Sequence, residues 1–330
     1  MEDFSRPLVN WYKKTARPLP WRAEPTPYRV WVSEIMLQQT RIEAAREYFT
    51  RFVRAFPTVQ ALAAAEIDEV LKLWEGLGYY SRARNLHKCA KIVCEQYGGT
   101  FPADAAALRR LPGIGDYTAG AIASIAFGLP EPAVDGNVLR VLSRVECFGE
   151  SIGSDKVKKQ FRDALREIIP AEDCGAFTSA LMELGETVCT VGAPDCARCP
   201  IAGSCAAHRR GEETLYPVQP EKKPRRIENR RVLLLLCGDK CAVRRREDTG
   251  LLASMWELPN DLSPDVPDGG EACGVAVHVF SHVEWHMRGY IVRCTAERPG
   301  YVWVTRAERE ALAMPAAFRY YRNILEQMGY

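Results

Sequence analysis

The chain has 330 residues, 47% of them hydrophobic, and a formal net charge of +2. That is too much chain for one typical core and enough for two, so two domains are expected. The near-neutral balance excludes a uniformly basic nucleic-acid binder, leaving local patches to make any DNA-binding surface. No run of about 18 apolar residues occurs, and Met1–Trp21 carries charges and prolines, which argues against export or membrane insertion and for the cytoplasm.

Taken in order, Ile35, Ile42, Ala45, Phe49, Phe52, Val53 and Phe56 recur at helical spacing, predicting one long amphipathic helix over Trp31–Phe56. Helices are then predicted over Ala61–Trp74, Arg82–Tyr97, Ala105–Leu111, Tyr117–Phe127, Gly136–Val145, Lys156–Ile169 and Phe177–Val188, with Gly and Pro between them. The texture changes at Pro217–Arg231 (PVQPEKKPRRIENRR), which has prolines, basic residues and no apolar periodicity, and so reads as a linker. Beyond it Arg231–Arg244, Gly274–Phe280, Arg288–Cys294 and Tyr301–Val304 have strand composition, and Arg306–Leu312 and Ala317–Met328 have helical character. The expected organisation is a helical domain over 1–216, a linker over 217–230 and an α+β domain over 231–330.

Twelve cysteines in an unexported chain point to metal binding or burial rather than disulfides. Cys89, Cys94, Cys147, Cys174, Cys237, Cys241, Cys273 and Cys294 are scattered and suit core positions. Cys189, Cys196, Cys199 and Cys205 are clustered with x6, x2 and x5 gaps, a spacing that can converge on one metal centre. Zinc is one reading. Only the central pair has the Cys-x-x-Cys knuckle of a structural zinc site, so a 4Fe-4S cluster is the other reading, and spacing alone does not decide between them.

Three further motifs carry possible chemistry. Leu111-Pro112-Gly113-Ile114-Gly115 lies between helical segments, where Gly113 and Gly115 permit a tight hairpin whose backbone N–H groups can face an anion such as a DNA phosphate. Asp135 directly precedes a helix, a position where Asp commonly serves only as an N-cap. Glu34, placed in the first turn of the Trp31–Phe56 helix, is open to a similar reading as a solvated acid that suits the helix dipole.

The segments WVSEIMLQQT (31–40), GLGYYSRARNL (76–86), LPGIGDYTAGAI (111–122), VDGNVLRVLSR (134–144), the cysteine loop and Phe280-Ser281-His282 together resemble, in order and over essentially the whole chain, the adenine DNA glycosylases of the MutY family. That resemblance implies a helix-hairpin-helix glycosylase fold with a 4Fe-4S cluster held by the four clustered cysteines, plus a Nudix-like C-terminal domain that recognises 8-oxoguanine. The implied partner is double-stranded DNA carrying A:8-oxoguanine or A:G mispairs, bound by a monomeric bacterial, chromosome-associated enzyme of base excision repair. The adenine must leave the stack, because its glycosidic bond is inaccessible within a duplex.

By the same resemblance Glu34 is the protonated acid that donates to adenine N7, and Asp135 the ionised carboxylate facing the oxocarbenium-like sugar. Tyr117 stands where enzymes of the endonuclease III type carry a Schiff-base lysine, which implies base removal without efficient strand cleavage. Trp21 and Arg22 match pocket-lining positions, although Trp21 could equally be a packed anchor. Gln38, Leu77 and Tyr79 match residues that contact DNA beside the lesion. Phe280, Ser281 and His282 match the lesion-reading turn, although a lone histidine is more often structural. This sequence departs from the family in having Ser179 where many members read adenine with Gln or Glu. Residues 190–195 lack the basic residues often found there, and the stretch after Trp256-Glu257-Leu258-Pro259 lacks the Glu-rich helix of a Nudix hydrolase.

Two rival readings are a bifunctional glycosylase/lyase of the endonuclease III type, opposed by Tyr117 and the long C-terminal domain, and a non-catalytic DNA-binding protein, opposed by the presence of both Glu34 and Asp135.

Overall fold

A computed structural model describes residues 2–221, 224–261 and 269–330. Helices come first: α1 (Ser5–Thr15), α2 (Pro27–Leu37), α3 (Ile42–Ala55), α4 (Val59–Ala64), α5 (Ile67–Leu73), α6 (Ser81–Tyr97), α7 (Ala105–Arg109), α8 (Asp116–Ala121), α9 (Gly136–Glu146), α10 (Asp155–Arg166), α11 (Cys174–Thr187) and α12 (Ala206–Arg210). Strands β1 (Arg226–Cys237), β2 (Lys240–Arg245), β3 (Trp256–Glu257), β4 (Glu271–Val279), β5 (Val283–Arg293) and β6 (Val302–Val304) follow, then α13 (Arg306–Ala311) and α14 (Arg319–Gln327). No described helix is long and apolar enough to cross a membrane.

The single helix expected over Trp31–Phe56 is two. Gln39 adopts a left-handed φ of 57°, which a helix cannot continue through, and Arg41 is extended where α3 begins. Ala61–Trp74 likewise divides into α4 and α5 at the extended Glu66. Helix α1 has no counterpart in the expected elements. Its Pro7 sits in the first turn, where backbone N–H groups have no helical partner and proline is tolerated, and Leu8 and Val9 face inward.

The chain forms two compact units, residues 1–63 with 88–221 and residues 64–87 with 222–330. In the first, a core joins Phe4 and Leu8 of α1 to Val138 and Leu142 of α9, Phe161 and Leu165 of α10, and Phe177 and Leu181 of α11. Helix α2 is buried nearly all round, from Tyr28 to Met36, as its apolar composition demands. Two glycines set how closely the segment before α9 can be approached. A Cβ on Gly120 would stand 2.3 Å from the carbonyl oxygen of Pro132, and one on Gly185 would stand 2.6 Å from Cβ of Asn137. Glycine at both places lets α8 and α11 grip residues 132–137 from either side. After α8 the helix widens into a π-helical turn over Ile122–Ala126.

In the second unit the sheet order is β3-β2-β1-β5-β4, with β6 also paired to β2. Strand β1 runs parallel to β5 from Arg226↔Val283 to Leu236↔Arg293, and the other pairings are antiparallel. Leu234 and Leu236 of β1 pack with Trp285, Phe318 and Tyr321 on one face, whereas Leu233 and Leu235 meet Ala242 and Trp303 on the other. Burial on both faces explains the unbroken Leu233–Leu236 run in a central strand. The run expected over Arg231–Arg244 is thus a hairpin turning at Gly238, whose φ is +60°. Its first strand begins at Arg226, inside the stretch read as linker, because pairing to β5 satisfies the backbone that the polar composition had suggested was free. Lys222 and Lys223 of that stretch lie outside the described residues. The helical segment 64–87 also departs from the expected domain division, being tied to the C-terminal residues through Asp68–Arg245 and Glu75–Arg322 ion pairs.

Candidate active site

Helix α2 starts with Thr26, whose side chain accepts from the N–H of Arg29 at 3.3 Å, and with Pro27 in the first position. Glu34 therefore falls in the third turn, not the first, and is only 5% exposed, so the solvated-acid reading fails. Helix α8, entered through the glycine hairpin, presents Tyr117, whose hydroxyl donates to Oε2 of Glu34 and lies 3.8 Å from the sulfur of Met182. Asp135 does cap α9: its Oδ1 accepts from the N–H of Val138 at 2.7 Å and its Oδ2 from the amide of Asn137 at 3.1 Å. Capping and facing the site are compatible here, because Glu34, Tyr117 and Asp135 all line one cavity of about 960 Å³.

Burial pushes the Glu34 carboxyl up to about 7, with the nearby Asp135 adding to the rise while the Tyr117 hydroxyl and Arg22 oppose it. Burial also raises Asp135, opposed by the donors from Val138 and Asn137 and by the charge of Arg140. Tyr117 is raised well above its ordinary value by burial and by the two carboxyl groups, so it stays a proton-bearing donor. A carboxylic acid poised near neutrality next to a second carboxyl that keeps three stabilising partners is suited to acid catalysis with charge stabilisation.

Trp21 and Arg22 line the same cavity. Trp21 is buried with its ring 5.5 Å from that of Phe49, so anchoring and lining coincide. Arg22 donates to Glu183 at 2.7 Å, and Arg17 holds the same carboxylate through bonds of 2.7 and 3.0 Å. Burial opposes ionisation of Glu183, yet the two guanidiniums hold its carboxyl below the usual range. Arg17 and Glu183 were not singled out from the sequence. The available signal was Glu183 lying one turn beyond Ser179 on α11, where both reach the cavity.

Gln38 is turned inward, its amide 3.4 Å from the hydroxyl of Thr118, while its neighbour Gln39 carries the left-handed backbone at the cavity wall. Gly113 has φ +76°, which requires glycine in practice; Gly115 has an ordinary φ and open space where a Cβ would stand, leaving its backbone uncovered. Beside it Asp116 is paired with Arg109 at 2.8 Å and Arg162 at 2.6 Å.

Cys189 follows α11, Cys196 and Cys199 flank a short helical turn, and Cys205 precedes α12. Burial raises Cys196 to about 11 and Cys199 to about 12, and the charges of Cys189 and Cys205 push both in the same direction. Arg144 donates to the Cys189 sulfur at 3.2 Å and Arg140 to its carbonyl at 2.8 Å. Among the described residues the one group of potential ligand atoms within 4.8 Å of one another is Cys196, His208 and Glu213; no three of the cysteine sulfurs are that close.

In the second unit Leu77 is nearly buried and Tyr79 is 44% exposed with a left-handed φ of 48°. The Phe280 ring packs 5.0 Å from Trp285, while Ser281 and His282 are exposed, their Oγ and Nδ1 atoms 3.3 Å apart. Glu257 is fully buried and paired with Arg244 and Arg246 at 2.9 and 2.5 Å, and among the described residues, which omit 262–268, no helix lies between Pro259 and β4.

Residues 32–167 match the HhH-GPD superfamily of base excision DNA repair proteins, and residues 231–323 match the NUDIX domain. The chain is 34% identical to adenine DNA glycosylase of Rattus norvegicus over 98% of its own length and 78% of that protein. The chain belongs to the adenine DNA glycosylases. Adenine DNA glycosylase of Homo sapiens is likewise 34% identical over 96% of this chain and 72% of its own, and that of Buchnera aphidicola subsp. Acyrthosiphon pisum is 39% identical over 67% and 63%. Among solved structures a thermostable thymine-DNA glycosylase superposes with a TM-score of 0.55 at 25% identity, covering 63% of this chain and 95% of that one. Endonuclease III in a non-covalent DNA complex superposes with a TM-score of 0.53 at 24% identity over 64% and 99%, a likeness of fold. As an adenine DNA glycosylase the chain is an enzyme of base excision repair that hydrolyses an N-glycosyl bond, and its substrate is DNA.

Proposed function

We propose that the chain excises adenine mispaired with 8-oxoguanine or guanine, with Glu34 as general acid and Asp135 as the electrostatic partner of the sugar. The observation that carries this is the Glu34 carboxyl, buried beside Tyr117 and Asp135 and raised to about 7, so that a proton is available at neutral pH. In the reaction the bond between the sugar C1′ and adenine N9 breaks with its electron pair going to the base. Adenine N7 takes the Glu34 proton, water adds to C1′, and the proton that this water loses returns to the Glu34 carboxylate. Asp135, whose ionised form the Val138 and Asn137 donors favour against the opposing effect of burial, faces the positive charge that develops on the sugar. General acid assistance of this kind is worth roughly 100- to 10,000-fold.

Trp21 and Arg22 enclose the extruded base, with Glu183 fixing the guanidinium. The backbone at Gly113 and Gly115 takes a DNA phosphate. Gln38, Leu77 and Tyr79 act beside the vacated base, and the inward turn of Gln38 makes Gln39 an equal candidate for that contact. Phe280, Ser281 and His282 read the opposing base. Tyr117 has no amine, so the strand stays intact after excision.

Cys189, Cys196, Cys199 and Cys205 fit a 4Fe-4S cluster. Zinc with bonds of about 2.3 Å sets its sulfurs about 3.8 Å apart; no three of these sulfurs lie within 4.8 Å of one another, which favours a larger centre. When bound, such a cluster supplies cross-linking of the loop after α11 rather than a reacting atom.

The test is incubation of the monomeric protein with duplexes carrying A:8-oxoguanine, A:G, A:C and C:8-oxoguanine, split between heat and alkali treatment. Alkali-dependent breaks at adenine, strongest opposite 8-oxoguanine, are expected. Equal breaks without alkali point to a lyase, and removal of 8-oxoguanine itself reverses the assignment.

A further inference from the structure

The turn Gly76–Tyr80 carries Leu77 and Tyr79, and residues of its own unit grip it from both flanks. On the α5 side the buried Trp74 donates through its indole N–H to the carbonyl of Gly78 at 3.2 Å. On the α6 side Arg82, also buried, donates to the carbonyls of Leu77 at 3.2 Å and Gly78 at 3.1 Å. Its guanidinium lies 5.3 Å from the Trp74 ring and 5.6 Å from that of Tyr79. A tyrosine at φ 48° costs energy and persists only where its surroundings hold it.

Those flanks are tied in turn to the C-terminal residues. Glu75, between Trp74 and the turn, accepts from Arg322 of α14 at 2.5 Å and from Lys72 at 2.7 Å. The Lys72 ammonium also donates to the carbonyls of Glu310 at 2.6 Å and Leu312 at 3.1 Å, at the C-terminal end of α13, where a cation is favoured. Arg84 of α6 donates to the carbonyl of Ala253 at 2.6 Å, and Asp68 of α5 pairs with Arg245 of β2 at 2.9 Å. With seven residues α5 is too short to hold its shape alone. The C-terminal sheet has its own core around Trp285 and Phe318, which includes no residue of α5.

We infer that the C-terminal domain sets the conformation of the Gly76–Tyr80 turn, with Arg322, Glu75 and Arg84 as positioning residues for extrusion of the base. This rests on the reading of Leu77 and Tyr79 as the residues that act beside the lesion. The cavity that holds Glu34 and Asp135 is lined wholly by residues of the other unit, so the loss of these contacts acts on extrusion and leaves proton transfer intact.

The experiment follows the fluorescence of 2-aminopurine placed next to the mispaired adenine, mixed rapidly with full-length protein. Arg322→Ala is expected to slow extrusion by roughly 10-fold or more, since misplaced positioning groups exact penalties of that order. Arg322→Lys should recover most of the rate. Arg84→Ala, changed outside the C-terminal fold, should slow it likewise, which covers the case where Arg322→Ala fails to fold. Tyr79→Ala tests the underlying reading: unaltered extrusion there removes the role of the turn itself. Tyr79→Ala slow with Arg322→Ala and Arg84→Ala both at the wild-type rate overturns the coupling alone.

Discussion

The Tyr117 hydroxyl donates to Oε2 of Glu34, and the two residues act on the same proton in opposite senses. Burial holds the Glu34 carboxyl up near 7, and the hydrogen bond from Tyr117 stabilises its ionised form and draws it down.

Tyr117→Phe keeps the ring and removes that donor. The Glu34 carboxyl should then rise further, and the pH at which excision falls away on the alkaline side should move upward. Single-turnover rates of adenine release across pH, compared between wild type and variant, check this; a midpoint that stays put or moves down counts against the hydrogen bond as the tuning element.

A linked effect on stability follows from the same group. Glu34 goes from an ordinary value of 4.5 to about 7 on folding, so the folded chain binds the proton more tightly. The stability this confers is complete below 4.5 and is lost as pH rises through 7, where the ionised carboxylate costs about 3 kcal/mol. Glu34→Gln is neutral at every pH and should unfold at a higher temperature than wild type at about pH 8, with the gap closing by about pH 4. Thermal melts at both pH values measure it, and identical melts at pH 8 would mean the carboxyl is not buried in solution.

The purified protein should contain iron and acid-labile sulfide and absorb broadly in the violet. Cys199→Ala removes one of the four ligands from the middle of the loop and should lower iron content and bleach the absorbance. Stoichiometric zinc with no iron in anaerobic preparations contradicts the cluster.

Much of the fold and of the proposed site was legible because the proposed chemistry lies in short, ordered motifs: Glu34, Tyr117, Asp135 and the four cysteines are picked out without knowing the fold. What the sequence hid was context. Periodicity carried one helix across Gln38–Arg41, because apolar spacing does not register a left-handed residue such as Gln39. Glu34 consequently seemed to open a helix, when Pro27 and Thr26 start it two turns earlier. Arg17 and Glu183 meet across 166 positions, a pairing that no local pattern announces. The polar residues Arg226–Arg230 looked like a linker because their pairing partner, β5, lies more than fifty residues on.

Ser281 and His282 stand exposed on the turn between β4 and β5, fixed by Phe280 against Trp285. Ser281→Ala with His282→Ala should leave excision from A:G nearly unchanged and reduce the preference for A:8-oxoguanine, by on the order of 1 to 3 kcal/mol for one or two lost hydrogen bonds. Competition between the two duplexes reports the ratio; an unaltered preference places lesion reading elsewhere.

The central claim is that Glu34 delivers the proton, and single-turnover adenine release by wild type and Glu34→Gln across about pH 5 to 9 tests it most directly. The account predicts a wild-type rate that declines as pH rises through about 7, where the carboxyl loses its proton. It also predicts no measurable release by Glu34→Gln, with binding to a non-cleavable A:8-oxoguanine duplex retained. Release by Glu34→Gln at a rate close to wild type, or a wild-type profile flat through pH 7, would contradict it.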